Sequence, residues 1–71
     1  MVRYPDDTLF KMEVPDMDRN GYSARFCYSL SRGWLFYEED GWKETVPSDV
    51  RRLFTEALKT KEARERGEEN I

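Results

Sequence analysis

The chain has 71 residues, 38% of them charged and 38% apolar, with a formal charge of −3, one cysteine and no histidine. A chain this short holds one core, and its longest apolar run, Trp34 to Tyr37, is far below the roughly 20 residues of a membrane span. Mixed charge with an acidic excess excludes the basic stripe on which nucleic-acid binding usually rests, and the missing histidine removes the commonest acid–base group and metal ligand.

The opening, Met1 to Asp7, has no periodicity and contains Pro5, so residues 1–7 are expected to form a flexible arm. It also lacks the apolar segment of an export signal. With a single cysteine, that predicts a cytoplasmic protein without disulfides. Thr8 to Val14 alternates: Phe10, Met12 and Val14 on one side, Lys11 and Glu13 on the other, with Leu9 out of step. That is a half-buried strand, ended by Pro15 and followed by a loop closing at Asn20-Gly21.

Tyr22 to Leu30 alternates without a break, and is expected to be the central strand. Tyr22, Ala24, Phe26, Tyr28 and Leu30 share its inner face; Ser23, Arg25, Cys27 and Ser29 share the outer one. Two similar tripeptides follow, Ser31-Arg32-Gly33 and Glu39-Asp40-Gly41, each succeeded by tryptophan. Both fit a three-residue hairpin turn ending in a left-handed glycine. A two-residue turn on the last two positions would reverse every downstream face. The three-residue turns set Leu30 opposite Trp34 and Glu38 opposite Trp42. They put Trp34, Phe36 and Val46 inside, with Glu44 on the inner face of an edge strand, and turn Leu35 and Tyr37 outward.

Val50, Leu53, Phe54, Ala57 and Leu58 form one helical stripe. Pro47, Ser48 and Asp49 suit its entrance, with Ser48 as the cap, and Gly67 suits its end. The last two turns are polar and expected to be solvated. The predicted architecture is α+β: a four-stranded antiparallel meander, ββββα, with the C-terminal helix packed on one face. The domain spans residues 8–66, and 67–71 form a disordered tail.

No constellation points to catalysis, and no cofactor is expected. Cys27 lies mid-strand without a histidine to activate it, and reads as a small apolar residue. Asp16-Met17-Asp18-Arg19-Asn20-Gly21 matches the front of a calcium loop. The position that should carry the bidentate glutamate is Cys27, so the segment reads as a turn without metal. Val46-Pro47, Val50 and Ala57 after an antiparallel hairpin resemble the end of KTSC-type domains. The Tyr-x-Tyr strand of that family has no counterpart here, and no property is carried over.

Aromatic residues make up 14% of the chain, more than one helix can cover. Tyr4, Tyr37, Trp42 and Tyr22 are expected on the outer face, in the arm or near strand ends. The function expected is a non-enzymatic protein-binding module, an inhibitor or adaptor that docks on a larger protein. A phage-type product acting on host RNA polymerase or a defence nuclease fits this size and profile. The candidate contact residues are Leu9, Arg25, Cys27, Leu35 and Tyr37 on the outer face, Tyr4 in the arm, and the acidic tip Glu38-Glu39-Asp40. The alternatives are a sheet that stacks single-stranded nucleic acid on its aromatics, for which the basic surround is missing, and a structural homodimer built on outer faces or edge strands.

Overall fold

The protein is described by a computed structural model that covers residues 2–39 and 41–67. Four strands, β1 (Thr8–Pro15), β2 (Ser23–Ser29), β3 (Gly33–Glu38) and β4 (Gly41–Lys43), form one antiparallel sheet in chain order. A single 3-10 turn, Ser48–Val50, leads into the helix α1, Arg51–Arg66, which lies on one face. The α+β meander predicted from the alternation is the fold observed. No helix among the described residues is long and apolar enough to cross a membrane.

The inner face carries Phe10, Met12 and Val14 of β1, paired with Tyr28, Phe26 and Ala24 of β2. Leu9 breaks the alternation because it is the extra residue of a β-bulge: Thr8 pairs with Ser29 and Phe10 with Tyr28. Phe54 of α1 closes the core, with its ring 5.4 Å from Phe26 and 5.2 Å from Trp34. Val50, Leu53 and Ala57 are buried beside it, as their spacing requires.

The first hairpin turns one residue earlier than expected. Ser29 pairs with Gly33 and Tyr28 with Trp34, so the loop is Leu30-Ser31-Arg32. Moving each partner one residue toward the N-terminus changes the register by two and preserves parity, so Trp34 and Phe36 still face the helix. Gly33 takes the left-handed conformation at φ 82°. Leu30 is not a core residue; as a turn residue it is 71% exposed. The turn is held by Ser29, whose Oγ accepts the Arg32 N–H at 3.2 Å.

The second hairpin departs further. Glu38 pairs with Gly41 and Tyr37 with Trp42, leaving a two-residue connection. Glu39, at φ 58°, takes the left-handed position, and Gly41 does not. The register differs from the expected one by an odd step, so Trp42 joins Tyr37 on the outer face. β4 ends at Lys43. Glu44 is exposed and 3.4 Å from Arg32, and irregular backbone brings Val46 back to the core.

At the helix entrance Ser48 makes no capping hydrogen bond. Gly67, at φ 78°, ends α1 with its N–H directed at the carbonyls of Ala63 and Arg64. The expected tail beyond Gly67 lies outside the described residues. The last turns are not simply solvated: Lys61 lies 4.6 Å from the Tyr28 ring centre and Arg64 5.1 Å from that of Phe10. Long basic stems there extend the cover of the inner face.

Candidate functional site

The register sets Lys11 beside Cys27, Cys27 beside Leu35, Glu13 beside Arg25 and Tyr37 beside Trp42 on the face away from α1. The N-terminal segment lies across this face. Trp42 Nε1 donates to the Arg3 carbonyl at 2.9 Å. The Tyr4 ring is 5.1 Å from Trp42, and Lys11 Nζ is 4.9 Å from the Tyr4 ring centre. Lys11 stands on β1 and Trp42 on β4, so Tyr4 bridges opposite edges of the sheet above the strands between them. Burial raises the pKa of the Tyr4 hydroxyl.

Asp7 fastens the other end of this segment. Its carbonyl accepts the Leu30 N–H at 3.0 Å, and its carboxylate accepts Ser29 Oγ at 2.7 Å and the Ser31 N–H at 2.9 Å. Hydrogen bonds from Ser31 and then Ser29 hold its pKa down to about 2. The chain reverses over Asp6 and Asp7, where the Pro5 carbonyl accepts the Thr8 N–H at 3.2 Å and Thr8 Oγ1 at 2.7 Å.

This cover corrects the expected exposure of two candidate residues. Cys27 and Leu35 are both 0% exposed, because the segment expected to be a free arm lies over them. Burial raises the Cys27 thiol pKa, which keeps it protonated at neutral pH. The other candidates remain at the surface. Leu9 is 63% exposed in its bulge. Arg25 is half-buried and pairs with Glu13 at 3.0 Å. Tyr37 and Tyr4 are half-buried on either side of Trp42, with the Tyr37 and Trp42 rings 5.1 Å apart. Glu38 and Glu39 are exposed at the hairpin tip; Asp40 lies outside the described residues.

The structure thus gathers Tyr4, Tyr37 and Trp42 into one aromatic group, with Arg25 and the acidic tip nearby. Trp42 at its centre was not among the contact residues expected, because its face depends on one step of hairpin register. A shallow depression of about 370 Å³ adjoins the group at the end of the sheet, lined in part by Arg19, Tyr22, Arg25, Tyr37 and Glu39.

The calcium-like loop is organised by arginines. Asp16, 3% exposed, accepts Arg52 Nη2 at 2.8 Å and the Asp18 N–H at 3.0 Å on one oxygen, and Arg19 Nε at 2.7 Å on the other. Hydrogen bonds from Arg52 and then Arg19 hold its pKa down to about 2. Among the described residues, no three His, Cys, Asp or Glu side chains are grouped to hold a metal ion.

Against known proteins, the chain matches no family model, no curated protein and no solved structure.

Proposed function

We propose that the protein is a small, non-enzymatic protein-binding module that docks on a larger protein through the outer side of its sheet. The observation that carries this reading is the group formed by Tyr4, Trp42 and Tyr37 on the face opposite the helix. Half-buried aromatics beside an arginine are the side chains that contribute most when a partner completes their burial. Arg25 and the exposed Glu38 and Glu39 supply both signs of charge around it. Leu9 would extend the contact at the edge. Cys27 and Leu35 support the face from beneath rather than touch the partner. Acting as an inhibitor or adaptor in the cytoplasm, on a target such as a host polymerase or defence nuclease of the kind phage products bind, is the form of this function that the chain's size favours.

The test uses a double substitution, Arg25→Ala with Tyr37→Ala, made in the full chain. Circular dichroism should show it folded, while the protein captured from source-cell lysate by the unsubstituted chain is lost. Unchanged capture would remove the outer face as the interface. Trp fluorescence titrated with single-stranded oligonucleotide should stay flat; a salt-dependent quench would replace the protein partner with a nucleic acid.

A further inference from the structure

β1 is an edge strand whose far side pairs with no other strand among the described residues. The Asp16 N–H donates to the Tyr22 carbonyl at 2.9 Å, which sets the phase of the β1–β2 ladder. Backbone groups alternate sides along a strand, so Phe10, Met12 and Val14 direct theirs to β2. Lys11 and Glu13 therefore direct their N–H and C=O groups outward, away from the sheet. Pro15, with no N–H to satisfy, belongs to the same outward set. Of the three large apolar side chains that stand exposed among the described residues, two flank this edge: Leu9 at 63% and Met17 at 89%. A shallow groove beside Met17 follows the helix side of the strand, formed by Met12, Val14, Pro15, Met17 and Leu53 together with the charged Arg52 and Glu56 of α1.

We infer that a second copy of this chain pairs with this edge, β1 antiparallel to β1 about a two-fold axis at Met12, joining the two sheets into one. Outward-facing residues must meet outward-facing residues, which leaves three central registers. Lys11 opposite Lys11 and Glu13 opposite Glu13 each bring like charges together. In the third, Lys11 of each copy meets Glu13 of the other, and both contacts are attractive. Charged side chains on an edge usually deter pairing. Here their alternation makes one self-pairing register favourable and its neighbours unfavourable. The same register sets Leu9 opposite Pro15 of the second copy, close to its Met17, and Phe10 opposite Val14. The exposed apolar groups at both ends are thereby covered. Glu13 already lies 3.0 Å from Arg25 on the outer face and has a second carboxylate oxygen to offer. The N-terminal segment crosses the outer face from β1 to Trp42 and reaches this edge at Lys11, whose Nζ is 4.9 Å from the Tyr4 ring centre; the outward N–H and C=O groups of the strand lie in the plane of the sheet, beside it. The inference does not rest on the docking reading above: the edge and the aromatic group are different surfaces, which adjoin at Leu9 and Lys11 beside Tyr4.

Sedimentation equilibrium of the full chain from about 1 µM to 1 mM should show reversible dimers. Lys11→Glu and Glu13→Lys should each raise the dimer dissociation constant by about tenfold or more, since two-fold symmetry applies each change twice. Mixed in equal amounts, the two variants should recover a one-to-one dimer, because their substituted strands are complementary to each other. In the unsubstituted chain, hydrogen exchange at the Lys11 and Glu13 amides should slow as concentration rises. This measurement decides the matter even where a variant fails to fold. A monomer throughout the range, a dimer that neither substitution weakens, a variant mixture that stays monomeric while both components are folded, or exchange independent of concentration would each overturn the inference.

Discussion

Leu35 reports on whether the N-terminal segment is a structural layer. It is 0% exposed, yet it lies on the sheet face that α1 does not touch. Its burial therefore depends on Tyr4 and the residues beside it. Leu35→Ala in the full chain should cost about 2–5 kcal/mol, the range for a fully buried leucine. In a domain of this size, 2 kcal/mol lowers Tm by roughly 8–16 °C. In a chain lacking residues 1–5, the same substitution acts on an open surface and should cost no more than about 0.5 kcal/mol. The difference, at least about 1.5 kcal/mol, is the coupling between arm and leucine. Urea denaturation followed by circular dichroism on the four proteins of this cycle measures it. Equal costs in the two backgrounds would mean that the segment does not cover Leu35, and the account of the outer face would fail with it.

The two hairpins make opposite demands on glycine. Gly33→Ala forces a Cβ into φ 82° and should cost about 1 kcal/mol, whereas Gly41→Ala should be nearly neutral and Glu39→Gly should stabilise by a similar ~1 kcal/mol; chemical denaturation distinguishes the three. Leu53→Ala, which empties a buried site under the helix, should lose about 2–5 kcal/mol and leave the domain close to unfolded at room temperature, seen as loss of near-ultraviolet ellipticity. Asp7 and Asp16 have folded-state pKa values of about 2, below the 3.8 of the free carboxyl. Their stabilisation is thus complete above pH 3.8 and is lost as pH falls toward 2. Urea midpoints measured down this range should fall steeply, and Asp7→Asn with Asp16→Asn should flatten the slope; an unchanged slope would refute the pairing.

Strand and helix periodicity is local information, and it was legible. The unbroken alternation of Tyr22 to Leu30 marked β2 and its faces, and the stripe from Val50 to Leu58 marked the helix and the side it buries. The inner core followed from these, because the first hairpin's change of register by two leaves parity intact. Leu9 carried a signal as well. A single residue out of phase in an alternating strand is what a bulge produces.

The outer face was decided elsewhere. Whether Trp42 points in or out depends on a turn choice worth about 1 kcal/mol locally, since glutamate at positive φ is disfavoured by only that order. Contacts far from the turn outweigh it. With Trp42 outside, its indole N–H reaches the Arg3 carbonyl across 39 positions of sequence, and its ring packs between Tyr4 and Tyr37. Asp7 makes a comparable long reach to Ser29 and Ser31. Residues 2–7 have no period to read, because they form neither strand nor helix; their order comes from individual hydrogen bonds and one ring stack. Composition and alternation could therefore determine that one face of this sheet is covered by a helix. That the other face is covered by the chain's own beginning, burying Cys27 and Leu35 and leaving three aromatics at the surface, was decided only when segments distant in sequence met.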